Sequence, residues 1–321
     1  MKKIFLPLIL ILFPLSLLAQ FMVIEEPSIL KTPDGNIYGT LRIPDKDKAM
    51  PLALIIAGSG PTDRDGNNPQ MKNNSLRMLA EGLFYNGIAS LSFDKFGIGE
   101  SKSEEKKEED LTFDDFINDV RLWIDLLSED KRFSEIIIVG HSEGSLIGMI
   151  AGQDKPKVKK FVSIAGSGKP MNETLKEQLE AQLRLQPPGI KETVFSYIDK
   201  LERGEKIADV PASLNVLFRP SVQPFLISIF KYNPQLEISK LTIPVLILQG
   251  TMDIQVSEKQ AELLAEANPK AKKVIIENMN HVLKDSDTTD MMSQVSSSYN
   301  NPISPINKEL VKCISDFIKE D

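Results

Sequence analysis

Short runs of consecutive apolar residues alternate along this chain with stretches in which apolar positions recur every three or four residues. The first pattern suits strands buried on both faces, and the second suits amphipathic helices. Strands are predicted over 51–57, 88–93, 136–139, 158–164, 243–248 and 273–277, and helices over 75–86, 112–127, 145–151, 257–267 and 307–319. An opening pair of strands is predicted at 21–25 and 36–43, joined by the turn Pro33-Asp34-Gly35. This alternation implies a mainly parallel sheet with helices on both faces, whose ligands bind at the carboxyl ends of the strands.

The alternation breaks between 168 and 237. A polar helical stretch (172–184) is followed by Pro187-Pro188-Gly189, a second helix to about 201, and an apolar, proline-punctuated piece over 211–232. The expected organisation is a core of residues 20–167 and 238–321 with a helical cap, 168–237, inserted between two core strands. Leu217, Phe218, Phe225, Phe230 and Tyr232 are candidates to line a pocket from this cap or simply to pack it. The charge run 102–110 reads as a solvated loop, and Thr112 with Asp115 as a capping box opening the next helix.

Residues 1–19 stand apart: Lys2-Lys3, an apolar run broken by Pro7 and Pro14, and Ala19 before a polar residue. They read as a secretory signal peptide cut after Ala19, which places the mature chain in the periplasm or outside the cell. With no cysteine near the cut, neither a lipid anchor nor a stable membrane anchor is expected after cleavage. The net charge of −7 becomes −9 once Lys2 and Lys3 are removed (−7 − 2), which argues against a nucleic-acid partner. An apolar content of 41% and a charged content of 26% are those of a globular protein. The single cysteine, Cys313, can form no internal disulfide and falls on the closing helix, where a core-facing role fits it better than chemistry.

The candidate chemistry centres on Gly140-His141-Ser142-Glu143-Gly144, which follows the strand at 136–139 and precedes a helix. In that context G-x-S-x-G forms a nucleophile elbow, a sharp turn that exposes the serine hydroxyl. The hydroxyl needs a base, and the chain has two histidines. His141 adjoins the serine along the backbone and is badly placed to reach it, so it is expected to pack beneath the elbow. His281, after the last strand, is left as the base. Asp253, Glu277 and Asp285 are candidate acids to orient it. Asp63, Arg64 and Asp65 either orient substrate or pin a turn, and Asp94 and Ser101 are expected to brace their loop.

The order of Ser142, Asp253 and His281, each after a later strand, resembles the α/β-hydrolase family over essentially the whole mature chain. The loop Gly58-Ser59-Gly60-Pro61-Thr62-Asp63-Arg64-Asp65-Gly66-Asn67 is similar to that of a bacterial esterase subgroup grouped with serine aminopeptidases. The resemblance implies an α/β-hydrolase fold with an eight-stranded, mainly parallel sheet and an inserted helical cap. It also implies Asp253 as the acid, and backbone N–H groups of Ser59 and Glu143 as the oxyanion hole. Many relatives carry His-Gly where this chain has Ala57-Gly58, a departure that leaves backbone donors untouched. The expected function is a serine hydrolase cleaving carboxylic esters of small acyl groups, with short peptides or amides as the alternative substrates. Neither a metal nor an organic cofactor is expected. In a peptidase, Glu177, Glu180, Arg184 and Arg203 of the cap would be candidates to hold a charged terminus.

Overall fold

The computed structural model describes residues 23–103, 106–183, 186–187 and 189–320; the expected signal segment and Arg184 lie outside them. Eight strands form one sheet in the order β1-β2-β4-β3-β5-β6-β7-β8. They are β1 (Glu25–Thr32), β2 (Gly35–Arg42), β3 (Met50–Ile56), β4 (Ala89–Phe93), β5 (Phe133–His141), β6 (Val158–Ile164), β7 (Val245–Gly250) and β8 (Lys272–Ile276). Strands β1 and β2 form an antiparallel hairpin and β2 runs antiparallel to β4, while every pairing from β4 to β8 is parallel.

The central strands are buried on both faces because their side chains are almost all apolar; Ile136, Ile137, Ile138 and Val139 of β5 are fully enclosed. Helices α1 (Ser75–Tyr85) and α11 (Lys308–Lys319) cover one face, their Leu79, Leu83, Leu310 and Ile314 meeting Ile55, Ile137 and Val162. On the other face, α2 (Phe113–Glu129), α3 (Glu143–Ala151) and α9 (Glu258–Ala267) pack Trp123, Ile147 and Leu264 against Leu54, Ile138 and Phe161. Cys313 sits half-buried against the first of these clusters. Helix α2 opens as expected, with the Thr112 N–H donating to the Asp115 carboxylate at 2.7 Å.

Between β6 and β7 lie α4 (Met171–Leu183), α5 (Ile190–Glu202), α6 (Asn215–Phe218), α7 (Gln223–Ile229) and α8 (Pro234–Ser239). Their Val194, Ile198, Leu201 and Phe218 belong to the same apolar cluster as Ile138 and Phe161 of the sheet. A hydrogen bond from the Phe113 N–H to Ser228 Oγ, 2.7 Å, ties α2 to α7.

Two expectations need correction. Of the strand expected over 21–25, residues 21 and 22 lie outside the described residues, Val23 and Ile24 are not strand, and β1 runs over Glu25–Thr32. As an edge strand it buries only Leu30 fully, so its apolar signal is faint, and its place is fixed by pairing with β2 from Glu25↔Arg42 to Thr32↔Gly35. After β8 the chain also forms α10 (Met291–Gln294) and a π-helical turn (Val295–Tyr299) that no apolar periodicity announces. They are held by polar contacts, including Gln294 Nε2 to the Met252 carbonyl at 2.9 Å.

Candidate active site

The carboxyl ends of β3, β5, β6, β7 and β8 meet at one rim of the sheet, through register pairs such as Ile56↔Gly140, His141↔Ile164 and Gly250↔Ile276. Ser142 stands there between β5 and α3, with φ 53° and ψ −121°. That is a strained backbone for a residue with a Cβ, and such strain accumulates at functional turns. Its N–H is anchored to the Ile164 carbonyl at 2.9 Å. The flanking glycines are dictated by space: a Cβ on Gly140 would stand 2.4 Å from the Gly144 carbonyl oxygen, and one on Gly144 would stand 2.3 Å from that of Ile56.

His281 lies on the loop after β8, and Asp253 on the loop after β7. The His281 Nδ1 and Asp253 Oδ2 atoms are 2.8 Å apart, and both side chains are almost fully enclosed. The second carboxylate oxygen of Asp253 accepts from the Gln255 and Val256 N–H groups at 2.8 and 2.9 Å. Gln249 Nε2 also donates to Oδ2 at 3.1 Å. Burial alone would push the Asp253 carboxyl up, but the charge and hydrogen bond of His281 and the two backbone donors outweigh it and hold it below the usual range. With Nδ1 engaged by Asp253, Nε2 is the nitrogen left for proton exchange. Ser142 and His281 line one cavity, although among the described residues the serine hydroxyl makes no hydrogen bond to the imidazole. Such contacts are often loose until substrate is bound.

The rival acids lie elsewhere in the network. The Asp285 carboxylate accepts from Asn307 Nδ2 at 2.6 Å, and Glu277 is exposed. His141 is buried but also lines the cavity of Ser142 and His281, its Nε2 2.9 Å from the His281 carbonyl oxygen. Desolvation, with the neighbouring His281 adding to it, depresses its basicity to about 3. It is therefore neutral, and the Nε2–H donates to that carbonyl.

Ser59 and Glu143, the expected oxyanion donors, line a cavity together with Ser142. Glu143 opens α3, so its N–H has no intrahelical acceptor.

The α/β-hydrolase GrgF of Penicillium sp. sh18 superposes with a TM-score of 0.59 at 16% identity, over 92% of this chain and 98% of that one. The chain has the α/β-hydrolase fold. A family model described as serine aminopeptidase, S33, matches residues 72–214, which include Ser142 but neither Asp253 nor His281. Esterase EstD of Thermotoga maritima is 27% identical over 256 residues, 78% of this chain and 58% of its own length. The chain thus spans under two thirds of that relative. Human monoglyceride lipase is 26% identical over 249 residues, covering 74% of this chain and 78% of the lipase.

Within this hydrolase fold, Ser142 stands between two cavities. One, of about 110 Å³, is lined by Ser59, Glu143, Leu146, Met171, Pro234 and Val256 among others. The second, of about 190 Å³, contains His281 with Thr62, Asn68, Met71, Asn73 and Val282. Ser59, Ser142 and Gln255 border both. Leu217, Phe218, Phe225, Phe230 and Tyr232 border neither. Phe218 packs within the insertion, edge-on to Tyr197, while Phe225 on Phe113 and Phe116, and the Tyr232 hydroxyl on the Asp114 carboxylate at 2.5 Å, dock the insertion on helix α2 of the core. Of the charged residues considered for holding a peptide terminus, Glu177 pairs with Lys169, Glu180 with Lys191 and Arg203 with Glu205.

The loop Gly58–Asn67 is pinned by its own polar groups. Asp63 Oδ1 accepts from the Asp65 and Asn67 N–H groups, and Arg64 pairs with Asp94 and Glu100 at 2.7 and 2.6 Å. Ser101 Oγ donates to the Asp94 carbonyl and accepts from the Tyr38 N–H, bracing that loop. Sequence reasoning missed Lys95 and Gln249. Neither belongs to a motif, and their significance comes from contacts across 48 and 4 residues, with Glu143 and Asp253.

Proposed function

We propose that the chain is a carboxylic-ester hydrolase working through an acyl-enzyme on Ser142. His281 Nε2 takes the hydroxyl proton as Ser142 attacks the ester carbonyl. Asp253 holds the imidazole in the Nδ1–H tautomer and stabilises the imidazolium. The Ser59 and Glu143 N–H groups receive the oxyanion. His281 then protonates the leaving alcohol, and water deacylates the serine by the same route in reverse. Because the leaving oxygen must face the imidazolium, the alcohol occupies the cavity of His281, and the acyl chain takes the smaller one beside Leu146 and Met171. Its volume suits short acyl chains.

One observation carries the choice of esters over N-terminal peptides. Glu143 is the one carboxylate among the residues lining the two cavities, and it is already paired with Lys95 at 3.1 Å. An aminopeptidase needs a free carboxylate to hold the substrate's ammonium group, and an alkyl ester does not. The names of the esterase and lipase relatives agree with this reading. Secretion into the periplasm or beyond is part of the same proposal, supported by the basic, apolar and small-residue order of residues 1–19, and N-terminal sequencing of the mature protein tests it.

The enzymatic test compares p-nitrophenyl acetate and butyrate with an aminoacyl naphthylamide. The esters should be turned over with at least a hundredfold higher kcat/KM, and Ser142→Ala should lose about 10⁴–10⁶ of that activity. Preference for the aminoacyl amide would overturn the substrate class, and an active Ser142→Ala would overturn the mechanism.

A further inference from the structure

Lys95 follows β4 on a loop of its own, yet its side chain ends beneath the elbow with 3% of its surface exposed. Its ammonium donates to the Gly58 carbonyl at 2.6 Å and to Glu143 Oε1 at 3.1 Å, and lies 5.3 Å from the centre of the Phe116 ring. Both contacts lead to the same place. The Gly58 carbonyl and the Ser59 N–H belong to one peptide plane, and in a trans peptide the two point in opposite directions. A carbonyl held down by the buried ammonium therefore aims the Ser59 N–H at the cavity. Glu143 supplies the other N–H, and its carboxylate, also 3% exposed, is the negative charge closest in sequence to that donor. Unpaired, this charge would oppose an oxyanion developing nearby.

We propose that Lys95 is a positioning residue for the oxyanion hole. It fixes the orientation of the Gly58–Ser59 peptide and neutralises Glu143, so that both backbone donors face a site free of net negative charge. The inference rests on the acyl-enzyme reading of Ser142 given above. Its action is confined to the transition state, since the ground-state carbonyl gains little from the donors and the oxyanion gains much. Losing an oxyanion donor typically costs about 10²–10³ in rate.

Two variants separate positioning from mere packing. Lys95→Met leaves Glu143 buried and unpaired, whereas Lys95→Met with Glu143→Leu replaces the ion pair by apolar groups, a change that buried pairs often tolerate without loss of stability. With p-nitrophenyl acetate, the single variant should lose more than a hundredfold in kcat and the double variant more than tenfold, each with KM within threefold of the parent. The inhibition constant of a trifluoromethyl ketone, whose serine adduct places an oxyanion in the hole, should rise in parallel with the loss of kcat. Lys95→Arg, which keeps a cation and its donors, should recover part of the rate. A folded double variant with kcat within twofold of the parent would overturn the proposal, as would a loss confined to KM or one that leaves the ketone's affinity unchanged. An active Ser142→Ala would instead remove the reading on which it rests.

Discussion

The imidazole of His141 donates from Nε2 to the backbone carbonyl of His281, 2.9 Å away, with the two rings 4.9 Å apart. The residue before Ser142 thus holds the loop that carries His281. His141→Phe keeps the volume but leaves the His281 carbonyl buried without its donor, at a cost of about 1–3 kcal/mol. We expect kcat to fall about tenfold, with KM little changed and with His141→Gln, which retains a donor, closer to the parent. Steady-state kinetics of the two variants checks this.

The same histidine makes stability depend on pH. Its basicity falls from the ordinary 6.5 to about 3 in the folded chain. Between these values the unfolded chain binds a proton that the folded chain refuses, so its contribution is complete above pH 6.5 and is lost as the pH drops. The slope is at most about 1.4 kcal/mol per pH unit. Urea unfolding at pH 7.5, 6 and 5 should show a smaller acid-induced loss for His141→Gln than for the parent.

Asp119 on α2 titrates with the opposite sense. Burial, with Asp115 adding to it and Lys106 opposing it, pushes its carboxyl up to about 7, and among the described residues its enclosed Oδ2 has no partner. The folded chain keeps a proton that the unfolded chain releases above pH 3.8, so this residue costs stability progressively as pH rises to 7. Asp119→Asn should be more stable than the parent at pH 8, by about 2 kcal/mol, and the gain should vanish near pH 4. Thermal melts at the two pH values decide it.

Asp253→Asn should preserve the loop, because Oδ1 still accepts the Gln255 and Val256 N–H groups. It should also let His281 adopt the wrong tautomer. A kcat reduced by about 10⁴ in a variant that still unfolds cooperatively is the expected result. A loss under tenfold would assign Asp253 to the loop alone.

Gly144→Ala should act on folding and on activity together. The new methyl would meet the Ile56 carbonyl oxygen at 2.3 Å, so α3 must move away from β3. A loss of about 3 kcal/mol in urea unfolding is expected. Activity should fall even where the variant is folded, since Ser142 moves with the helix.

The elbow, the core strands and the helices were legible in the sequence because each is a local pattern: Ile136 to Val139 declares a buried strand, and Gly140 and Gly144 a tight turn. Asp253 could be ranked above Glu277 and Asp285 only by resemblance, and it is the acid that meets His281. What could not be read comes from contacts between distant segments. Nothing in the neighbourhood of Lys95 announces Glu143, and a serine-rich stretch such as Val295–Tyr299 carries no periodicity that separates a helical turn from a loop. The aromatic residues of 217–232 were attractive as pocket walls, but composition cannot distinguish a side chain facing a cavity from one facing its neighbours.

The insertion over the rim is continuous with the sheet's own interior. Swinging it aside would break its seam with α2, where Phe225 meets Phe113 and Phe116, Tyr232 meets Phe113, and the Phe113 N–H bonds Ser228, and exposing such apolar side chains costs about 1.5–3 kcal/mol each. The roof is therefore a fixed sieve, whose aperture is set when the protein folds. On the ester-hydrolase reading, substrates should be sorted by whether they fit an opening that is already there, and turnover at saturating substrate should be as fast in viscous solvent as in dilute buffer.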